Sequence, residues 1–245
     1  MQLASLIAAS RLMAEQDAMA VIANNLANAD TPAYQAERVH FTDWLAPPAA
    51  PAAGSDVALV EDRGTWRDRT SGAFRKTGNP FDLAIRARDA WFTVSTPQGP
   101  RLTRAGSFSL SASGTIVDQN GNPLLDTTGQ PITLSTSDTG ISIAADGTVT
   151  STENGVIGQI GLVRPTNPNL MTSLGGTLFA ANGATTPVTN PEVVQGVIED
   201  SNVKPILEIS RMIKAERNFG FLAQMVQAES DREQNTIAKI TTTDA

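Results

Sequence analysis

The two longest helix-forming stretches of this sequence stand at its two ends, residues 3–28 and 205–240, and the sequence between them is dominated by short strand-and-turn segments. In the first stretch Leu12, Met19, Ile22 and Leu26 recur at spacings of seven, three and four, and Met1 and Ala8 extend the stripe backwards. That pattern predicts an apolar seam of the coiled-coil kind on a helix roughly 40 Å long. The helix should stop at Asp30-Thr31-Pro32, because proline disfavours helix at the residue before it and has no N–H to donate. In the second stretch Pro205 suits the first helical turn. Ile209, Met212, Phe219, Ala223, Val226, Ile237 and Ile240 share one register there, interrupted by Glu216, Ser230 and Glu233. An amphipathic helix cannot bury its stripe alone. The simplest solution pairs the two helices and covers the remaining apolar edges with copies of the chain or its relatives.

Between the helices the texture changes twice. Residues 33–75 read as an irregular linker or an extended arm, with Pro47, Pro48 and Pro51 in an Ala/Pro tract at 46–53. Residues 76–200 carry short alternating runs such as "WFTVST" and "GTIVD", separated by turn signals at Gly78-Asn79-Pro80, Asn120-Gly121 and Asp146-Gly147. The expected fold class is therefore α+β. Long N- and C-terminal helices pair as a coiled-coil-like domain, and a central antiparallel, twisted all-β domain is carried on it. The expected boundaries are 1–32, 33–75, 76–200 and 201–245.

Composition removes several function classes. The chain of 245 residues has a net charge of −7 and no basic tract, so no nucleic-acid partner is expected. It has no cysteine and one histidine, which removes thiol chemistry and argues against a His-based zinc site or relay. No run of 18 apolar residues occurs, so no membrane span is expected, and the absence of a basic segment before Arg11 argues against a cleaved signal peptide.

Candidate chemistry is thin. Asp118-Gln119-Asn120-Gly121-Asn122 begins like a calcium loop, but Gly129 occupies the position where such a loop needs a bidentate glutamate, so a hairpin turn is the better reading. Glu61, Asp62 and Asp68 lie among Arg63, Arg67 and Arg69, a pattern of solvated ion pairs. His40 next to Phe41 reads as a packing or surface residue. No phosphate-binding loop or nucleophile elbow is present, and no enzyme activity, cofactor, metal or small-molecule substrate is expected.

The stretch "AVIANNLANADTPAYQ" at 20–35 resembles the N-terminal signature of the flagellar basal-body rod and hook family, with Asn24, Asn25, Leu26, Ala27, Asn28, Thr31 and Tyr34 at the matching positions. "VVQGVIEDSNVKPILEISRMIKAERNF" resembles the family's closing motif, with Gln195, Gly196, Glu199, Ser201, Asn202, Val203, Met212, Ile213 and Arg217 in place. "TGNPFDLAI" and "LTRAGSFSLSASGTIVDQNGNPLL" are similar to its β domain. The length is most like the proximal rod members, with the distal rod as the alternative. Ala33 stands where the family usually has glycine, and Ala87 and Ala90 stand where it favours glycines. Lys204 takes the place of a common capping Asp, so Ser201 or Asn202 is expected to cap the second helix.

The resemblance implies a structural subunit of the axial drive shaft in the periplasmic part of the basal body. It would be exported uncleaved by the flagellar type III apparatus and partnered by other rod and axial proteins and by its own copies. The implied assembly interface is Leu12, Met19, Ile22, Asn24, Asn25, Leu26, Asn28, Tyr34, Ser201, Asn202, Val203, Ile209, Met212, Arg217, Phe219 and Val226. The rival of another class is a secreted β-domain binding module on a helical oligomerisation stalk.

Overall fold

The computed structural model describes residues 2–46, 57–135 and 137–243. Helix α1 (Gln2–Ala27) leads into a long antiparallel hairpin of β1 (Glu37–Ala46) and β2 (Val57–Arg67). Short strands follow: β3 (Phe74–Lys76), β4 (Leu83–Ile85), β5 (Trp91–Thr96), β6 (Gly99–Thr103), β7 (Ser109–Leu110) and β8 (Ile116–Val117). Then come β9 (Ser142–Ile143), β10 (Thr148–Ser151), β11 (Gly155–Gln159), β12 (Leu162–Pro165), β13 (Thr172–Ser173) and β14 (Leu178–Ala180). The last strands are β15 (Thr185–Pro187), β16 (Val193–Gln195) and β17 (Val197–Glu199), before helix α2 (Pro205–Thr243).

The chain divides into two compact units. One comprises Met1–Ala27, Ala36–Asp68 and Lys204–Ala245, and the other Asn28–Gln35 and Arg69–Val203. The second unit is a set of small antiparallel sheets. The largest has six strands in the order β13-β14-β6-β5-β12-β15, and β11-β10-β9 form a three-stranded sheet. Its core is aliphatic, with Leu83, Ile85, Val94, Ile116, Leu124 and Ile160 almost fully buried. Phe92 and Phe108 meet edge to face, 5.3 Å between ring centres. Trp91 and Phe179 make a second edge-to-face pair, 5.1 Å between ring centres, whereas Trp66, Phe74 and Phe221 are exposed.

Turn chemistry sets the corners. Gly121 and Gly147 have φ of 80° and 86°, a conformation glycine adopts without strain. Asp118 Oδ1 accepts from the N–H groups of Asn120 and Asn122, both at 2.8 Å, and Oδ2 accepts from the Asn122 amide at 2.9 Å. The carboxylate is consumed by its own turn, as the hairpin reading of this segment requires. Around β9–β11, Asp138 accepts from Ser151 Oγ, Ser135 N–H and the Asn154 amide, each at 2.7 Å. Those bonds, the Ser151 hydroxyl foremost, hold the Asp138 carboxyl below its ordinary range. Glu153 is lowered likewise by the Thr139 hydroxyl and then by the Thr139 N–H.

The expected fold class is corrected here. The chain is mostly β, with seventeen strands, two α-helices and one 3-10 turn (Pro168–Leu170) among the described residues, and the terminal segments do not form a coiled-coil-like domain. A coiled coil needs one continuous apolar seam facing a partner helix. The apolar residues of α1 are spread around the helix, and Met13 is 67% exposed. The inward side of α2 begins with a charged residue, Glu208, that meets β1, and α1 also lies against β1 and β2. The hairpin falls within residues 33–75, where composition pointed to irregular chain. It supplies cover for α1 that a helix-only reading had assigned to other helices. Residues 47–53 of the Pro/Ala tract lie outside the described residues.

Candidate functional site

In the helix–hairpin unit, polar side chains converge on the base of the hairpin. Asn25, near the end of α1, is fully buried. Its Nδ2 donates to the Glu37 carbonyl and its Oδ1 accepts from the Glu37 N–H, both at 2.8 Å. A carboxamide matches a peptide group donor for acceptor, so this residue type can fix the first residue of β1 in both directions. The Glu37 carboxylate in turn pairs with Arg67 across the hairpin. One residue on, Arg38 donates to Glu208 Oε1 at 2.8 Å, and Arg211 reaches the same oxygen at 2.6 Å. Glu208 is fully buried, and its second oxygen has no hydrogen-bond partner among the described residues.

In the β unit the two signature stretches meet. Ala33 N–H donates to the Glu199 carbonyl at 2.8 Å, and Asn202 N–H donates to the Tyr34 carbonyl at 3.2 Å. Ala33 holds this path at φ 56°, the left-handed region that costs any residue with a Cβ. Below this junction lies a buried ion pair. Arg104 Nη2 and Nε reach Glu199 Oε2 at 2.7 and 3.0 Å. The remaining guanidinium donors satisfy the carbonyls of Ile85, Ala87, Arg88 and Ala90 at 2.8–3.1 Å. Glu199 Oε1 accepts from Gly72 N–H at 3.2 Å. Gly72 must be glycine, since a Cβ there would stand 1.9 Å from the Asp200 carbonyl oxygen. Arg104 and Glu199 thus tie four chain segments together, and neither faces solvent.

The residues singled out in the sequence separate into two groups. Ile22, Asn25, Tyr34 and Val203 are buried within the chain, and Leu12, Met19, Leu26, Asn28, Ser201, Asn202, Met212, Phe219 and Val226 are half-buried. Asn24, Ile209 and Arg217 are exposed. The Asn202 amide donates to the Thr70 carbonyl at 2.9 Å, and Ser201 Oγ accepts from Val203 N–H at 3.2 Å. His40 is exposed. Among the described residues no cluster of His, Asp and Glu could hold a metal ion, and no helix is long and apolar enough to cross a membrane.

What the sequence reading missed is the outward side of α2. Glu208, Met212, Ala215, Phe219, Leu222 and Val226 mark the inward side. Around the rest of the helix Ile206 is 80% exposed, Phe221 69% and Met225 50%, with Leu207, Ile209 and Ile213 close to half exposed. The helix is therefore apolar on two sides. A signal was present in the sequence: Ile206 and Ile213 repeat at a spacing of seven alongside the stripe already assigned. The exposed apolar surface is on the order of 600 Å², the upper end of what a monomer ordinarily shows and near one partner's share of a standard interface.

Three stretches of the chain match known family models, and relatives match most of its length. Residues 6–35 match the family described as flagella basal body rod protein. Residues 87–151 match the flagellar hook protein FlgE/F/G D1 domain, and residues 194–239 match the flagellar basal body rod FlgEFG protein C-terminal family. The flagellar basal-body rod protein FlgF of Caulobacter vibrioides is 34% identical, over 94% of this chain and 95% of that protein. FlgF of Mesorhizobium japonicum is 32% identical over 90% of each chain. The flagellar basal-body rod protein FlgG of Bacillus subtilis is 31% identical over 83% of this chain and 86% of its own length.

Proposed function

The chain belongs to the flagellar basal-body rod protein family, and from that premise we propose that it is a proximal-rod subunit of the FlgF type, joined to its neighbours through the outward side of α2. The observation that carries the reading is the row of exposed large apolar side chains there, Ile206, Leu207, Ile209, Ile213, Phe221 and Met225. A helix in water gains nothing from such a row, whereas burying it against neighbours contributes about 25 cal/mol per Å².

The wider interface in this reading includes Asn24, Arg217 and the half-buried residues Leu12, Met19, Leu26, Phe219 and Val226. Ile22, Asn25, Tyr34 and Val203 act one step back, by fixing the shape those residues present. Subunits joined head to tail through such a surface form an open helical array rather than a closed ring. Torque is then carried by many close-packed contacts in parallel. The role is structural rather than enzymatic, the route out of the cytoplasm is the flagellar type III apparatus, and the place of assembly is the periplasm.

The test is replacement of Phe221 by Asp in cells whose own copy is deleted, with imaging of basal bodies. Rods ending near their base and non-swimming cells are expected, while the purified variant keeps its β-unit fold. Rods of normal length would refute the surface. A persistent proximal stub in the deletion strain would move the subunit to the distal rod.

A further inference from the structure

Gly220 lies on the outward side of α2, seven residues beyond Ile213 and fourteen beyond Ile206. Glycine is the worst residue after proline for the interior of a helix. Among the described residues no backbone conformation or contact requires it. Its φ is not in the left-handed region, and a Cβ built there would meet nothing within 4 Å. The remaining physical reason for a bare position is close approach from outside. Arg217, Phe221 and Gln224 surround it one turn below, alongside and one turn above, which is the four-residue hole that receives a side chain from a facing helix.

Charge indicates which helix. Lys214 and Arg217 are exposed and make no ion pair among the described residues. Asp231, also exposed, lies fourteen residues after Arg217 and, at 100° per residue, on nearly the same side of α2. A second α2 displaced along the axis by roughly 20 Å brings its Asp231 beside Arg217 of the first. The exposed apolar surface on this side is near one partner's share of a standard interface. Resting on the assembly surface proposed above, we infer that Gly220 is the crossing point at which α2 of a second copy of this chain packs against α2, in a staggered, head-to-tail contact steered by Arg217 and Asp231.

The test measures self-association of the full chain by sedimentation, with Gly220→Ala, Gly220→Leu, Arg217→Asp, Asp231→Arg and the double charge exchange, beside Phe221→Asp. Gly220→Ala should raise the helix content of the monomer and weaken association slightly. Gly220→Leu should leave the monomer folded and weaken association about tenfold or more. Arg217→Asp and Asp231→Arg should each weaken it, and the exchange of both should restore it, a rescue available only if both residues meet in contacts between copies. Wild-type association by Gly220→Leu, failure of the exchange to rescue, or a wild-type chain that stays monomeric overturns the inference. If Phe221→Asp stops rod growth while Gly220→Leu associates normally, the assembly surface stands and the crossing point falls. If neither matters, both fall.

Discussion

Replacing Arg104 by Met should be among the most damaging single changes in the β unit. The guanidinium is 2% exposed and its partner carboxylate 4%. Methionine fills much of the volume but donates nothing. It leaves Glu199 as a buried charge and frees the carbonyls of Ile85, Ala87, Arg88 and Ala90. Removing one partner of a buried ion pair costs about 3–5 kcal/mol. The stranded carbonyls push this case toward the upper end. For a unit of this size about 3 °C is lost per kcal/mol, so the thermal midpoint should fall by about 10–15 °C. Arg104→Lys should do little better, because one ammonium carries three donors and cannot reach five acceptors on separate segments. Glu199→Gln should be milder, since its amide oxygen can still accept from the Arg104 guanidinium, at the loss of the Gly72 N–H bond. The assay is calorimetry of the purified chain, with hydrogen exchange to place the loss at β3, β4 and β17. An Arg104→Met protein melting within about 2 °C of wild type would refute the assignment of stability to this pair.

Other outcomes follow from single contacts. Asn25→Ala should cost about 2 kcal/mol and speed hydrogen exchange at the hairpin base while sparing the β unit; unchanged exchange at Glu37 would count against the clamp. Ala33→Gly should stabilise the chain by about 0.5 kcal/mol, the relief of a left-handed Ala of about 1–2 kcal/mol less the added entropy of an unfolded glycine; a lower urea midpoint would contradict it. Asp138 and Glu153 have lowered folded-state values. Their contribution is complete above the ordinary carboxylate range near pH 4 and is lost as pH falls through the folded values. Amides of β9–β11 should therefore lose protection as pH falls below the ordinary carboxylate range, and the Asp138→Asn chain should lose less; equal loss in both would remove Asp138 as the cause.

Local physics, acting over a few residues, is legible in the order of amino acids alone. Pro205 opens α2, and glycines at 121 and 147 mark turns, because each effect acts within a few residues, whereas α1 ends at Ala27, ahead of the expected stop at Pro32. The motifs that carry family membership are contiguous and equally legible. Tertiary structure decided the rest. Periodicity placed a seam on α1 and on α2 but said nothing of the hairpin that lies against α1, because its partners are far apart in sequence. Asn25 was legible as a signature residue, yet that it is spent on Glu37 inside its own chain depends on a fold-back no pattern states. Arg104 and Glu199, 95 residues apart, share a buried site only once β4, β5 and β17 have brought carbonyls around it. Whether an apolar residue on α2 faces inward or outward is likewise a property of what packs against the helix, and that depends on contacts made over the length of the whole chain.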